Sequence, residues 1–328
     1  MKELGPTVFE LGESDALSRA IKFFKPGEHT IIGSGDDAAV VRSAGQFVVT
    51  TDTMVEGRDF RTDFSSGFDL GWKAVASNFA DVAAMGAKPS ALVVALVISK
   101  TTTQTWLEEF ARGLQSGIDN LAPGVEVVGG DLALGSEIVI AITAHGELVG
   151  EPVLRSGAKP GDRLALAGTL GRAACGLDLL LSPDSSLAKA YEEWVEIQLR
   201  PNPPIAIGGS LSGVATSMLD VSDGLSTDAS RLAKASGVSI RLFGSALTGY
   251  EAVLELAAQS MRARGFEASE RDWVLHGGED HALLATFAEG TALPKGFKVI
   301  GEVIEPQANP LYLDDLPLIP KGWDSIRS

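Results

Sequence analysis

Residues 68–98, with the sequence FDLGWKAVASNFADVAAMGAKPSALVVALVI, decide the fold class. In the first half of this stretch the apolar side chains recur at helical spacing, at Leu70, Val75, Phe79, Val82 and Met85. Gly86 and Pro89 follow as stop signals, so a helix is predicted at 68–85. The apolar run that comes next is shorter than the about 20 residues that span a bilayer, and it predicts a buried strand at 90–98. A helix that leads into a strand in this way is typical of an α/β protein.

The mixture of helices and strands continues on both sides of this stretch. Further helices are predicted at 13–24, 103–121 and 225–235, and further strands at 46–50, 125–128, 138–144, 218–221, 283–287 and 298–303. Two domains are expected for 328 residues, because one hydrophobic core seldom serves a chain of this length. The turn-rich segment RSGAKPGD at 155–162 marks the candidate boundary. We therefore expect an α/β (α+β) protein with two mixed-sheet domains, 1–150 and 151–328, each with helices packed on its sheet.

Composition and charge narrow the class of function. The chain has 27 Lys and Arg residues against 43 Asp and Glu residues, a formal net charge of −16, and no basic cluster, so nucleic acid is not an expected partner. A small anionic substrate stays open, because divalent cations held by carboxylates reverse the local field. The one cysteine, Cys175, excludes an intrachain disulfide, and residues 1–15 lack an apolar signal core. A cytoplasmic protein with no membrane partner is expected.

Aspartates occupy unusual places in the chain. Most of them follow an apolar strand or lie in a glycine-rich loop, in the motifs Gly35-Asp36-Asp37, Thr51-Asp52, Gly130-Asp131 and Asp220-Val221-Ser222-Asp223-Gly224. Asp81 lies inside a predicted helix between apolar neighbours. Capping of turns and helices is the ordinary explanation for any one motif, but it does not explain Asp81. Carboxylates at such places are costly unless they are paired or bind a cation, so the five places together favour a hard-oxygen site for Mg²⁺.

Glycines adjoin nearly every one of these aspartates, and two explanations stay open for them. Glycine lets backbone N–H groups approach a phosphate, and it also permits the positive φ of ordinary turns. The sequence has neither a G-x-x-x-x-G-K-[ST] loop nor a G-x-G-x-x-G fingerprint, so ATP phosphates would be held mainly through metal ions. The sequence also lacks a zinc-ligand spacing and a G-x-S-x-G elbow, and its four histidines stay unassigned.

Taken together, these motifs resemble the thiamine-monophosphate kinase family, within the superfamily that includes aminoimidazole ribonucleotide synthetase. The matching stretches run in family order: Gly35-Asp36-Asp37-Ala38-Ala39, 50–57 (TTDTMVEG), 78–87 (NFADVAAMGA), Gly129-Gly130-Asp131, 155–162 (RSGAKPGD), 220–225 (DVSDGL) and Gly277-Gly278-Glu279-Asp280. The resemblance therefore covers nearly the whole chain. It implies the two-domain, aminoimidazole ribonucleotide synthetase-like fold, and a homodimer formed through the N-terminal domain.

The resemblance also implies roles for individual residues. Magnesium-binding positions match Asp37, Thr50, Thr51, Asp52, Asp81, Asp131, Asp220 and Asp223, and four of these are taken as catalytic: Asp37, Asp52, Asp81 and Asp220. Positions around ATP match Gly130, Asp131, Arg155 and Ser222, and substrate-contact positions match Asp59, Glu279 and Trp323. Asp59 departs from the family pattern, which often has His there, although an anion also suits a cationic thiazolium ring. Trp323 has a second explanation, as an aromatic anchor of the C-terminal tail.

The function implied by the resemblance is ATP-dependent phosphorylation of thiamine monophosphate to thiamine diphosphate, with Mg²⁺ as cofactor and ATP as co-substrate. The acceptor is a phosphate monoester that is largely a dianion at pH 7, so the reaction needs no general base. Mg²⁺ between carboxylates and phosphates would reduce the repulsion of two polyanions and stabilise an in-line transfer. The alternative is another ATP-dependent enzyme of the same superfamily, such as aminoimidazole ribonucleotide synthetase. A regulatory nucleotide-binding module and a metal-dependent phosphohydrolase are two further classes.

Overall fold

Helices and strands alternate along the chain, which confirms the α/β class. The structure is a computed structural model, and it describes residues 5–33, 38–148 and 150–323. The chain forms two compact units, Met1–Ala83 with Ala87–Leu148, and Ala84–Gly86 with Val149–Ser328. Of the helices in the described ranges, none has the length and the apolar character that a bilayer crossing requires.

The first half of the chain forms a four-stranded mixed sheet with helices. Its elements are α1 (Val8–Leu11), α2 (Glu13–Ala20), a 3₁₀ turn (Ile21–Phe23), β1 (Thr30–Ile32), β2 (Val40–Val41), β3 (Phe47–Val55), α3 (Gly67–Ala84), β4 (Ala87–Ile98), α4 (Gln104–Leu121), β5 (Glu126–Leu134) and β6 (Val139–Leu148). The sheet has the order β3-β6-β4-β5, in which β4 and β5 are parallel and the other pairs are antiparallel. Strands β1 and β2 pair separately. The helices predicted at 68–85 and 103–121 are confirmed.

One face of this sheet is buried and the other is more exposed, because successive side chains of a strand point to opposite sides. One face carries the buried side chains of β4 and β6, among them Leu92, Val94, Ile140 and Ile142, and it is the face covered by α3 and α4. The other face is open along β3.

Helices α3 and α4 touch backbone to backbone. A Cβ atom added at Gly71 would lie 2.2 Å from the carbonyl oxygen of Phe110, and one at Gly113 would lie 2.0 Å from that of Phe68. Such distances are shorter than any real contact, so these crossing points accept only glycine. The close approach sets how tightly the helical layer lies together above the sheet.

Strand β5 is longer than predicted. The sequence predicts a strand at 125–128 that gives way to a Gly129-Gly130-Asp131 loop, whereas β5 continues to Leu134. The reason is tertiary: β4 pairs with β5 residue by residue beyond the glycines, after a register shift next to Val93. Two glycines weaken a strand locally, and the neighbouring strand overrides that preference.

The second half of the chain forms a seven-stranded sheet with helices. Its elements are β7 (Arg163–Ala167), α5 (Arg172–Leu181), α6 (Ser185–Ala190), α7 (Glu192–Leu199), α8 (Ile205–Gly208), β8 (Ser217–Val221), α9 (Leu225–Ser236), β9 (Ser239–Leu242), α10 (Gly244–Ala252), α11 (Glu255–Arg262), α12 (Glu270–His276), β10 (Ala282–Phe287), β11 (Phe297–Ile304), β12 (Leu311–Leu313) and β13 (Leu316–Pro317). The strand order is β13-β12-β9-β11-β7-β10-β8, in which only β12 and β9 pair in parallel. The elements predicted at 218–221, 225–235, 283–287 and 298–303 are confirmed.

Strand β8 lies at one edge of this second sheet and leads into α9. Every residue of β8 and of its neighbour β10 is buried. Helix α9 packs Leu225, Ala229 and Leu232 into the core that β8 shares. The turn between β8 and α9 is therefore held on both sides, and it carries the DVSDG motif.

Candidate active site

Thr50 and Asp81 form a well-defined polar contact in the first unit. Thr50 Oγ1 donates a hydrogen bond of 2.9 Å to Asp81 Oδ2, which joins β3 to α3. Asp81 lies in the last turn of α3, where the helix dipole disfavours a carboxylate and a donor or a cation compensates it. Asp52 follows Thr50 by two residues, so its side chain points to the same face of β3. Three of the predicted magnesium ligands thus share the helix-covered face.

Thr51 and Asp131 lie on the other face of the same sheet. Thr51 Oγ1 donates to the carbonyl of Ile142 at 2.8 Å and accepts from Thr143 Oγ1 at 3.3 Å. Strand pairing aligns Asp131 with Thr53, through one residue of β4 and one of β6, and Thr53 shares the face of Thr51. The predicted ligands of the first unit are therefore divided between two faces.

A narrow apolar cavity of about 90 Å³ lies beside the Gly129-Gly130-Asp131 segment. Its lining comes from helices α2 and α4 and from strands β4 and β5, and includes Leu17, Ala20, Phe24, Val94, Leu96, Leu107, Phe110 and Leu114. Gly130 and Asp131 of β5 also line the cavity, although the side chain of Asp131 points to the other face of the sheet. Phe110 stacks on Trp106 with nearly parallel rings whose centroids are 5.6 Å apart, which holds the aromatic wall of the cavity in place.

Asp59 closes the turn that follows β3. Its Oδ2 accepts a hydrogen bond of 2.8 Å from the backbone N–H of Val55, and its own N–H donates to the Val55 carbonyl at 2.9 Å. One carboxylate oxygen therefore has a local structural partner, and a substrate contact would use the other. Asp37, the remaining predicted ligand of this half, lies outside the described residues.

In the second unit, Asp220 is paired with a histidine. Asp220 Oδ2 lies 3.1 Å from His281 Nδ1, and both side chains are buried. The two residues are brought together by the antiparallel pairing of β8 with β10, since the backbone N–H of His281 also donates to the Val221 carbonyl at 3.1 Å. The contact fixes the orientation of the carboxylate at the edge of the sheet.

Asp223 belongs to a closed ring of polar contacts with Asp228 and Arg231. The backbone N–H of Asp223 donates to Asp228 Oδ2 at 3.0 Å. Arg231 Nη1 donates to Asp223 Oδ2 and, at 2.7 Å, to Asp228 Oδ1. Burial, and next the nearby Asp220 carboxylate, raise the pKa of Asp228 to about 7. The Arg231 guanidinium thus contacts two of several closely spaced carboxylates. The remaining negative charge favours the binding of a further cation.

Glu279 and Trp323 are tied to consecutive carbonyl groups of the β8–α9 turn. The N–H of Glu279 donates to the Ser222 carbonyl at 2.9 Å, and the N–H of Trp323 donates to the Asp223 carbonyl at 3.3 Å. A Cβ atom at Gly278 would lie 2.2 Å from the Ser222 carbonyl oxygen, so glycine is required for this approach. Glu279 itself has a positive φ of 71°, an uncommon backbone state for a non-glycine residue. Four predicted site residues therefore meet at one turn.

The backbone carbonyl of Arg155, and not its guanidinium group, makes the hydrogen bond that holds this residue in place. Its carbonyl accepts a hydrogen bond of 3.2 Å from Ser236 Oγ at the end of α9, and its side chain is exposed. The guanidinium is therefore available on the surface of the second unit.

The donors present suit a magnesium ion that also binds phosphate. Across residues 5–33, 38–148 and 150–323, no three His, Cys, Asp or Glu side chains gather as a ready-made metal cage. Mg²⁺ usually binds through one or two carboxylates together with waters and substrate phosphates, so such a cage is not required. The oxygen donors of Asp and Thr in the predicted set are the type that Mg²⁺ prefers.

Sequence reasoning missed several residues that shape the site. They are His281, Asp228 and Arg231 around the DVSDG turn, Phe110 in the cavity wall, and Ser226 with His276 beneath the tail. The spacing of Asp223, Asp228 and Arg231 on a predicted helix start was a usable signal, since i to i+3 pairs meet on a helix. The others depend on partners that are distant in the chain.

The chain is similar to known proteins over nearly its whole length. The family described as AIR synthase related protein, N-terminal domain, matches residues 35–148. A thiamine-monophosphate kinase from Mycobacterium tuberculosis is 37% identical over 327 residues, which cover 98% of this chain and 93% of that protein. The crystal structure of thiamine monophosphate kinase from Aquifex aeolicus has a TM-score of 0.71 at 27% identity and covers 87% of this chain and 91% of that one. The structure of AaThiL complexed with AMPPCP and TMP has a TM-score of 0.72 at 29% identity and covers 96% of this chain and 97% of that one.

Proposed function

Because the chain belongs to the thiamine-monophosphate kinase family, we propose that it transfers the γ-phosphate of ATP to thiamine monophosphate and so forms thiamine diphosphate. The observation that carries the proposal is the similarity, over 96% of this chain, to the structure of AaThiL complexed with AMPPCP and TMP. The thiamine-monophosphate kinase from Mycobacterium tuberculosis, which is 37% identical over 98% of the chain, supports the same proposal.

The apolar cavity of the first unit is proposed as the place of the adenine ring. A volume of about 90 Å³ fits one flat ring system rather than a whole nucleotide. Phe110 offers an aromatic wall, and Gly130 and Asp131 on the bordering strand β5 are the residues proposed to lie near the phosphates. Arg155 and Ser222, which belong to the second unit, are proposed separately as phosphate contacts of ATP, because a guanidinium and a hydroxyl are both phosphate donors.

The proposed magnesium ligands fall into three separate groups: Thr50, Asp52 and Asp81 on one face of the first sheet, Thr51 and Asp131 on the other face, and Asp220 and Asp223 in the second unit. Asp37 is proposed as a further ligand. When bound, the ion supplies charge neutralisation between the two phosphate groups. The catalytic assignment of Asp37, Asp52, Asp81 and Asp220 rests on this role.

The acceptor side of the site is proposed to lie at the DVSDG turn of the second unit. Glu279 offers a carboxylate, and Trp323 offers an aromatic face, and together they suit a cationic ring. Asp59, which belongs to the first unit, is proposed separately as a substrate-contacting residue through its second carboxylate oxygen. The phosphate of the acceptor is already a strong nucleophile as a dianion, so the chain needs to orient it and not to deprotonate it.

We further propose that the enzyme is cytoplasmic and homodimeric. Phe47 and Val49 on the open face of the first sheet are 58% and 51% exposed, and apolar side chains in this number on one strand suit a partner sheet. The free, buried Cys175 agrees with a reducing compartment. Sedimentation of the purified protein would test the dimer.

Phosphorus NMR of the products tests the proposed activity. The protein is incubated with ATP, Mg²⁺ and thiamine monophosphate, beside tubes with thiamine, without acceptor, or with EDTA. Joint appearance of ADP and thiamine diphosphate, only with the monophosphate and metal, supports the proposal. Release of inorganic phosphate without a diphosphate product contradicts it. Because the match to the AIR synthase related domain also fits a cyclising synthetase, that enzyme's substrates are the next to assay.

A further inference from the structure

The hydroxyl group of Ser226, in the first turn of α9, makes three polar contacts. Its side chain is buried, and Oγ donates a hydrogen bond of 2.8 Å to the Lys321 carbonyl. The same oxygen accepts a bond of 3.1 Å from the Lys321 N–H, and it lies 2.8 Å from His276 Nδ1. A serine hydroxyl has one proton to donate, and here that proton goes to the carbonyl. In this arrangement the tautomer of His276 that carries a proton on Nδ1 donates to Ser226.

The segment Lys321-Gly322-Trp323 lies directly on the start of α9. Thr227 Oγ1 adds a second hydrogen bond to the Lys321 carbonyl, at 3.0 Å. Gly322 approaches so closely that a Cβ atom there would be 2.0 Å from the Asp223 carbonyl oxygen. The backbone N–H of the next residue, Trp323, then donates to that same carbonyl. The position of Trp323 thus depends on how Lys321 is held.

We propose that Ser226 and His276 form a latch that fixes the C-terminal segment and thereby positions Trp323 for the acceptor substrate. The proposal rests on the proposed function, and it assigns Ser226 and His276 as positioning residues rather than catalytic ones. Neither residue carries charge toward a phosphate, and both act on Trp323 through the Lys321 backbone. The contacts of the latch are with Lys321, next to Trp323 on the proposed acceptor side, so the larger effect is expected on thiamine monophosphate.

Helix α9 offers a matched control for a serine-to-alanine change. Ser230 lies one turn after Ser226, is similarly buried, and its Oγ has no hydrogen-bond partner among the residues that the structure describes. Ser226→Ala and Ser230→Ala therefore remove the same atom from the same helix, but only the first removes bonds to the tail. Thr227→Val is a milder variant, since it removes one tail bond and leaves the contact with His276 intact.

Limited trypsin digestion of the full-length protein, followed by intact mass, tests the latch without any substrate. Trypsin cuts after Lys321, whose side chain is exposed but whose backbone the latch holds. Loss of residues 322–328 is expected to be roughly tenfold faster in Ser226→Ala, because two hydrogen bonds to the tail are lost. Thr227→Val is expected to show a smaller increase, and Ser230→Ala to match the wild type. Equal rates in Ser226→Ala, Ser230→Ala and wild type would overturn the proposal.

Steady-state kinetics tests the positioning role. In Ser226→Ala the KM for thiamine monophosphate is expected to rise roughly tenfold while the KM for ATP stays within about twofold. An equal rise of both KM values would overturn the assignment, since a general loss of structure affects both substrates. If the wild-type protein makes no thiamine diphosphate, the proposed function fails, and the trypsin comparison still decides whether the latch exists.

Discussion

Thr50 Oγ1 and Asp81 Oδ2 lie 2.9 Å apart, and this hydrogen bond links a strand and a helix that the chain reaches 31 residues apart. It fixes one oxygen of a carboxylate that the end of α3 would otherwise disfavour. The contact therefore orients Asp81 before any ligand arrives.

Replacing Thr50 by Val keeps the shape of the side chain and removes the donor. Because a hydrogen bond to a charged group is worth about 1.5–3 kcal/mol, the Mg²⁺ concentration needed for half-maximal activity is expected to rise at least roughly tenfold. Thr50→Ser keeps the hydroxyl and should stay close to the wild type. The check is a Mg²⁺ titration of product formation for all three proteins. Identical titrations for Val and Ser would show that the bond has no part in metal binding.

The helix contact at Gly113 predicts a loss of stability. Gly113→Ala places a methyl group against the Phe68 carbonyl and should lower the free energy of unfolding by about 1–3 kcal/mol. Gly45→Ala is the matched change, because no atom of residues 5–33, 38–148 or 150–323 lies within 4 Å of its Cβ position apart from its chain neighbours. Urea unfolding followed by circular dichroism measures both. A Gly113→Ala protein as stable as Gly45→Ala would mean that α3 and α4 separate at little cost.

Filling the apolar cavity should affect the nucleotide alone. Ala20 lines the cavity and is buried, so Ala20→Leu adds three carbon atoms toward its centre. If the adenine ring enters there, the KM for ATP is expected to rise by roughly tenfold or more, with the KM for thiamine monophosphate unchanged. Thermal unfolding of the variant serves as the control for folding. An unchanged KM for ATP in a folded variant would show that the adenine ring binds elsewhere.

His276 predicts a pH dependence of stability. Burial, the largest cause, holds the pKa of His276 below its ordinary value; the charge of Lys321 acts in the same direction, and Asp272 and a hydrogen bond with the Lys321 backbone act against it. Below about pH 6.5 the unfolded chain takes up a proton that the folded one resists, so stability present above that pH is lost on acidification through the folded-state pKa. His276→Asn keeps an N–H donor for Ser226 and does not titrate.

The measurement is the melting temperature of both proteins between about pH 5.5 and 7.5. The wild type is expected to lose more stability than His276→Asn toward the acid end. Parallel curves would show that His276 makes no contribution in this range.

Much of the fold could be predicted from local patterns, because those patterns record local physics. Helix α3 follows from apolar residues at helical spacing, and strand β10 from a short apolar run after a glycine-rich turn. The DVSDG turn could be located because Asp and Gly there interrupt a buried strand. These signals need no knowledge of what lies beside the segment.

The arrangement of the site could not be predicted in the same way, because it depends on strand register and distant partners. The division of Asp52 and Asp131 between two faces follows from three successive strand pairings, β3 with β6, β6 with β4 and β4 with β5, and from a register shift next to Val93. A slip of one residue would exchange the faces. Likewise, Ser226 contacts Lys321, which lies 95 residues away in the chain, and no sequence pattern around either residue predicts this contact.

Strand β7 has consequences for how the second unit acquires its fold. It ends at Ala167, and its two neighbours in the sheet are β10, which begins at Ala282, and β11, which follows. At about 5–20 residues per second, a ribosome takes roughly 6–23 s to produce the intervening chain. During that time β7 has exposed Leu164 and Leu166 and two unpaired edges, a state prone to association with other chains. Slow, late pairing of this kind exposes the second half of the protein to aggregation during synthesis.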